Sequence, residues 1–279
     1  MNITFGIISI GGNEKRINLI IASILRENIP EFEVIVVGGN INRGMLINIP
    51  QLKVINFNEN LKPKPWISKK KNIININARY DIVVFMHDYV YLNEGWYKSM
   101  VEFGTDWDIC MNKILNPNGT RANDWITARA ADDFKVWNVR APYDYDKTWK
   151  MYVSGSYWIS KKYVLEKYPI DENRLHSELE DVEWSTRWNR TLNYKVNPNA
   201  KVQFMIHKEP YVLYSDVDTS INHMGIYSSQ FQINTPEYEH GLDPGFDKNG
   251  TELPYKRRKT WWENQYKMVP PPWYQNQLK

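Results

Sequence analysis

Four short apolar runs lie in the first ninety residues, and each stops abruptly at small or polar residues. Thr4 to Ile10 (TFGIISI) runs into Gly11-Gly12-Asn13, and Phe32 to Val37 (FEVIVV) runs into Gly38-Gly39. Leu52 to Phe57 (LKVINF) is the third run, and Asp81 to Met86 (DIVVFM) ends in His87-Asp88-Tyr89. Runs this short and this apolar read as buried strands. Between the first two, Ile17, Ile20, Ile21, Ile24 and Leu25 recur at helical spacing, with Asn13 placed as N-cap and Pro30 as the stop. A second helix is expected from about Ser68 to Ala78. The order β-α-β-β-α-β predicts an α/β fold, a mostly parallel sheet flanked by helices. Ligands of such sheets sit beyond the carboxyl ends of the strands. Ser9, Ile10, Gly11, Gly38, Gly39, His87 and Asp88 all fall there.

The second half is less regular. From about Met100 to Lys150 the pattern reads as strands and loops rich in Trp, Asp and Asn. Tyr152 to Ile159 (YVSGSYWI) reads as a strand interrupted by small residues, followed by a helix through Lys167. SELEDVEWSTRW reads as a helix, and Val202 to Ile206 as a strand leading to His207. Periodicity fades after about Ser228. The expected organisation is therefore one domain over 1–228, with halves 1–99 and 100–228, and a C-terminal arm over 229–279. In the arm, Lys256-Arg257-Arg258-Lys259 precedes Trp261-Trp262. Such a segment could cover the chain's own cleft, pack on a partner subunit, or make a peripheral contact with an anionic membrane.

Composition excludes several classes. A net charge of +3 over 279 residues is too small to argue for nucleic acid. The single cysteine, Cys110, rules out an intrachain disulfide. With no basic leader and no apolar stretch of about 20 residues, the expectation is a soluble cytoplasmic protein without a transmembrane span. The abundance of Ile, Asn and Lys fits an AT-rich genome, viral or host. The 12 Trp and 18 Tyr offer flat faces for stacking a sugar or base, and equally for packing a core.

Several clusters carry candidate chemistry. Asp88 follows a run too apolar for the surface, so its carboxylate needs a cation, a cleft or a hydrogen-bond partner. It is either a ligand of Mn²⁺ or Mg²⁺, which take oxygen donors and few protein carboxylates, or a turn cap for Asn93 or Glu94. His87 either touches a ribose or packs at the strand end. Lys69-Lys70-Lys71 is either a solvated face or the source of a nucleotide contact through Lys70 or Lys71. In HSELEDVEW, Ser177 and Glu180 have capping-box spacing. Asp181, Trp184, Ser185 and Trp188 share one helix face, pairing a base for a hydroxyl with a flat wall for a pyranose. His207 and His223 are candidate metal contacts. No zinc-binding, Walker-type or nucleophile-elbow motif occurs.

KKNIININARYDIVVFMHDYVYLNEGW resembles the segment of family 2-type GT-A glycosyltransferases that runs from a basic-Asn pair through a helix to the D-x-D strand. Lys71-Asn72 stands for the pair and His87-Asp88-Tyr89 occupies the D-x-D place. SGSYWIS, with Ser156 and Trp158, resembles the strand bordering the donor sugar, and ELEDVEWSTRW resembles the Glu-Asp helix that supplies the catalytic base. His207 falls where the family often has a metal or pyrophosphate contact. The resemblance spans roughly residues 3–210. It implies a GT-A, Rossmann-like fold, and inverting transfer from a nucleotide-sugar donor, a UDP-sugar, to a glycan or other hydroxyl. Asp181 would be the base beside Glu180, and Mn²⁺ or Mg²⁺ the cofactor. Two departures stand out. Only Asp88 is acidic in the D-x-D place, and Gly38-Gly39-Asn40 replaces the Asp usual for uracil, leaving backbone groups of Ser9 to Gly11 and Gly39 for the base. A sugar nucleotidyltransferase and a non-catalytic carbohydrate-binding protein are the alternatives.

Overall fold

The computed structural model describes residues 1–127, 139–141, 143–145, 148, 151–176 and 180–208. His223, Ser177, the boundary near 228 and the C-terminal arm lie outside them.

The first half follows its sequence pattern closely. Strands β1 (Ile3–Ile8), β2 (Phe32–Gly38), β3 (Leu52–Asn56) and β4 (Ile82–His87) pair in parallel, in the spatial order β3-β2-β1-β4. Helix α1 (Glu14–Arg26) buries Ile17, Ile20, Ile21 and Ile24. It ends before Pro30, where Asn28 takes a positive φ of 51°. Helix α2 (Ile67–Asn77) is different, because the face it buries is largely polar: Ser68, Lys70, Lys71, Asn72 and Asn75. It lies very close to the sheet. A Cβ at Gly6 would come within 2.2 Å of the Ile74 side chain, so only glycine lets the helix settle there. The side chain of Asn72 then clamps Ile170, accepting its N–H and donating to its carbonyl at 3.1 and 2.8 Å.

The chain leaves the sheet centre at Asp88-Tyr89. It then runs to the opposite edge as β5 (Val90–Leu92). Helix α3 (Trp96–Phe103) follows, with Gly95 at φ 83° before it; its amphipathic turns fall partly within the stretch expected to hold only strands and loops. Strands β6 (Ile109–Leu115), β10 (Tyr157–Lys161) and β11 (Tyr194–Phe204) complete the sheet as β4-β10-β6-β11-β5. β10 is antiparallel to β4 and β6, and β5 is antiparallel to β11, while β6 and β11 are parallel. The expected interrupted strand at 152–159 is in fact two elements. β9 (Met151–Tyr152) joins β7 (Ile126–Thr127) and β8 (Val139–Arg140) in a small second sheet, and β10 enters the main one. Helices α4 (Lys162–Lys167) and α5 (Glu180–Trp188) cover this half. Among the described residues, no helix is long and apolar enough to cross a membrane.

Candidate active site

The carboxyl ends of β1, β2 and β4 meet tightly. Gly11 has φ 94°, and a Cβ there would lie 2.0 Å from the Gly39 carbonyl oxygen. Ile10 stands 59% exposed beside this junction. Ser9 is the junction's hub. Its hydroxyl donates to Asp88 Oδ2 at 2.7 Å and accepts the Gly11 N–H at 3.1 Å. Its carbonyl accepts Lys70 Nζ at 2.8 Å. Asn13 sits at the start of α1 as expected, and its carbonyl takes the N–H of Arg16 and Ile17. Its side chain makes no cap, however; Nδ2 donates to Asp88 Oδ2 at 2.7 Å.

Asp88 is therefore fixed by two donors on one oxygen. Burial pushes its carboxyl up, while Ser9, Asn13, Arg16 and Lys70 pull it back toward the charged form. Lys70 is fully buried and forms an ion pair with Glu59, whose Oε1 also accepts the Gly39 N–H at 3.0 Å. Burial lowers the Lys70 ammonium, and Glu59 opposes it. Neither Lys70 nor Lys71 is a solvated face. Lys71 Nζ reaches Glu180 Oε1 at 3.2 Å, tying α2 to the first residue of α5.

Asp181 follows Glu180 on that first turn. Its Oδ1 accepts the Val182 N–H at 2.9 Å. Its Oδ2 presses against Gly155, where a Cβ would lie only 2.6 Å away. Burial, then the adjacent Glu180 carboxylate, raise Asp181 to about 6, with Lys71 opposing. A carboxylate with a pKa near the working pH suits a general base.

His87 caps β4. Its N–H donates to the Ser156 carbonyl at 3.0 Å, and its ring lies 5.3 Å from that of Tyr89. Nε2 is buried with no hydrogen-bond partner among the described residues. Burial, then Lys71, Lys208, His176 and Lys70, hold its pKa well below the usual histidine value. Ser156 Oγ lies 3.0 Å from Tyr89 Oη, and Lys208 Nζ donates to both, at 2.9 and 2.7 Å.

The expectation for the two tryptophans needs correction. Trp158 and Trp184 are both at 0% exposure and cannot offer a face to a sugar. Trp158 stacks on Phe85 at 4.7 Å and packs on Trp184 at 5.1 Å, while Trp184 Nε1 donates to the Tyr168 carbonyl at 2.7 Å. The indole surplus here is core. His207 follows β11, partly buried. Among the described residues, no three His, Cys, Asp or Glu side chains gather into a metal-holding group. Asn13, Glu59, Gly155, His176 and Lys208 are the site residues that sequence reasoning passed over. Lys208 adjoins His207, and Gly155 is the small residue that interrupts the YVSGSYWI pattern.

No protein-family description and no curated protein matches the sequence. Solved structures match in shape. The S. aureus TarS 1–349 chain superposes with a TM-score of 0.53 at 17% identity, over 73% of this chain and 60% of that one. TarS 1–349 in complex with UDP-GlcNAc gives 0.53 at 16% identity, over 84% and 67%. GalNAc-T7 with UDP, GalNAc and Mn²⁺ gives 0.53 at 11% identity, over 95% and 55%. The chain thus spans about 60% of the first of these. At such identities the likeness speaks to architecture, and the architecture is the GT-A glycosyltransferase fold.

Proposed function

We propose that this chain, with its GT-A fold, transfers a sugar from a nucleotide diphosphate donor, a UDP-sugar, to a hydroxyl of a glycan or other acceptor, with inversion. The observation that carries the proposal is the polar chain along one sheet edge. It runs from Asp88 through Ser9 to Lys70, and on the next residue of α2 from Lys71 through Glu180 to Asp181. It links the strand end expected at the diphosphate to the helix expected at the acceptor. TarS solved with UDP-GlcNAc and GalNAc-T7 solved with UDP support the choice of donor.

In the transfer, Asp181 takes the proton of the acceptor hydroxyl. The freed oxygen attacks the anomeric carbon from the face opposite the diphosphate, and the bond from that carbon to the phosphate oxygen breaks. The electron pair leaves with the nucleotide, so one displacement inverts the centre. Gly155 keeps the Asp181 carboxyl in place by leaving it room. Ser9, Ile10, Gly11 and Gly39 lie where a base and ribose would dock. The Gly39 N–H already donates to Glu59, which leaves that contact to neighbouring groups. The Ser156 hydroxyl, held between Tyr89 and Lys208, is the group we assign to the donor sugar.

GalNAc-T7 was solved with Mn²⁺. The described residues of this chain fit a divalent cation poorly. Asp88 supplies one carboxylate, and its Oδ2 is already shared by two donors.

The test is release of UDP from a panel of UDP-sugars, with and without sugar acceptors. Acceptor-dependent release that disappears in Asp181→Asn supports the proposal. Failure of UDP and every UDP-sugar to bind at millimolar concentration overturns it.

A further inference from the structure

We propose that Glu59 selects the base of the donor, its Oε2 accepting the imide N3–H of uracil. This rests on the donor reading above and names the group that makes the nucleotide a uridine one.

Glu59 opens a single 3₁₀ turn, Glu59–Leu61, just past β3, with the Asn58 side chain as its cap. From there it folds back against the end of β2. Its Oε1 accepts the Gly39 N–H at 3.0 Å and pairs with the buried Lys70, whose Nζ also donates to the Ser9 carbonyl. One carboxylate oxygen thus ties together the ends of β1, β2 and β3. The other, Oε2, is buried and accepts no hydrogen bond from the described residues. A buried acceptor left without a donor is destabilising, and a ligand that brings an N–H relieves it.

Glycine makes room for this arrangement. A Cβ at Gly39 would lie 2.6 Å from Glu59 Cγ, and one at Gly38 would lie 2.5 Å from the Ser9 carbonyl oxygen. A side chain at position 39 would therefore displace Glu59. The end of β2 carries no acid of its own and receives one from the segment after β3.

Position favours the base over the ribose as its partner. In the spatial order β3-β2-β1-β4, Asp88 follows β4 and Glu59 sits against the end of β2. Two strand spacings separate them, about 10 Å at about 4.8 Å each. A nucleotide with its diphosphate near Asp88 lays its ribose across β1, at Ser9 to Gly11, and its base at β2. The exposed Ile10 stands beside that junction as an apolar surface for a planar ring. Uracil carries an N–H donor at N3, between two carbonyls. Cytosine carries a lone pair at the same place, which a carboxylate repels.

The experiment is calorimetric titration of the full chain with UDP, CDP, 2′-deoxy-UDP and the diphosphate of 3-methyluridine. Wild type is expected to prefer UDP over CDP, and over the 3-methyl compound, by about 10- to 100-fold, the usual worth of a hydrogen bond to a charged group. In Glu59→Gln the UDP-to-CDP preference should largely disappear, because the amide can turn its oxygen to uracil or its NH₂ to cytosine. Loss of the Lys70 ion pair affects both nucleotides alike, so the ratio reads the base contact. Equal binding of UDP and CDP by wild type, or a preference that survives Glu59→Gln, overturns the inference and leaves the transferase reading standing. A loss seen only with 2′-deoxy-UDP places Glu59 on the ribose and overturns it as well. Absence of binding by every nucleotide at millimolar concentration overturns the two together. If Glu59→Gln melts early, the 3-methyl compound on wild type decides, and binding equal to that of UDP sinks the assignment.

Discussion

Asp88, which is buried, and Asp181, which is partly buried, are two carboxylates beyond the carboxyl ends of the strands, and their surroundings differ in a telling way. Burial raises both. Asp88 is compensated by two side-chain donors, Ser9 and Asn13, brought from the turn after β1. Asp181 has a second carboxylate, Glu180, as its neighbour and a glycine against its outer oxygen. One acid is wired in place, and the other is left poised to gain or lose a proton. The difference suits an anchor beside the nucleotide and a base beside the acceptor.

The sharpest way to break this contrast is Asp181→Asn. It keeps the shape and removes the proton acceptor, so transfer should fall by about 10²–10⁴-fold while UDP affinity holds. Steady-state rates set beside calorimetric titration check both halves. Glu180→Gln is the companion variant; if it abolishes transfer and Asp181→Asn does not, the base is the neighbouring residue. Gly155→Ala should come next, with transfer down by about 10²-fold, because the new methyl must push the Asp181 carboxyl off its position. Its UDP affinity should match wild type.

The pH profile asks the same question of the unmodified chain. Below about pH 6, where Asp181 becomes protonated, kcat should drop about tenfold per unit. A flat profile down to pH 5 would remove Asp181 from the role. For Asp88→Ala, a smaller effect of another kind is expected. UDP affinity should weaken about tenfold, and stability should fall by about 1–3 kcal/mol as Ser9 and Asn13 lose their shared acceptor. Thermal melting and titration separate the two.

The smallest effect concerns stability and has the opposite sign. Asp181 binds its proton more tightly folded than unfolded, since it rises from 3.8 to about 6. Its stabilising contribution is complete below the unfolded value and is lost as pH climbs through about 6. At pH 7.5, Asp181→Asn should therefore melt higher than wild type, by about 2–4 °C for each kcal/mol regained.

The first half was legible because β1, β2 and β4 are buried on both faces and read as short apolar runs, while the half-exposed β3 still carries apolar residues at alternate positions. β1, β2, β3 and β4 each fall within two residues of their expected bounds. Placing Asp88 at a strand end needed nothing more. Its partners were not legible. Asn13 has every local mark of a helix cap, yet its side chain serves a residue 75 positions away. Lys70 and Lys71 read in the sequence as either solvated charge or a nucleotide contact, and are buried where Gly6 lets α2 sink onto the sheet. Trp158 and Trp184 failed for a different reason. An aromatic surplus does not say whether a ring faces a ligand or a core, and here Trp96, Trp125, Trp158 and Trp184 are all among the largest fully buried side chains. The second half was hardest, since its strands pair with distant segments and in both directions.

The excursion of the chain from β4 to the far edge also sets a timetable for synthesis. Among the described residues, Val90–Leu92 pairs with Val202–Phe204, which is made much later, and the Tyr89 carbonyl waits for the N–H of Met205. At about 5–20 residues per second, the ribosome needs roughly 6–20 s to cover that interval. Through it, the segment just beyond Asp88 lacks its partner strand on a nascent polypeptide, held where Ser23 and Arg26 of α1 bond the backbone of Leu92. Any release of the chain before Met205 leaves β5 without its β11 partner.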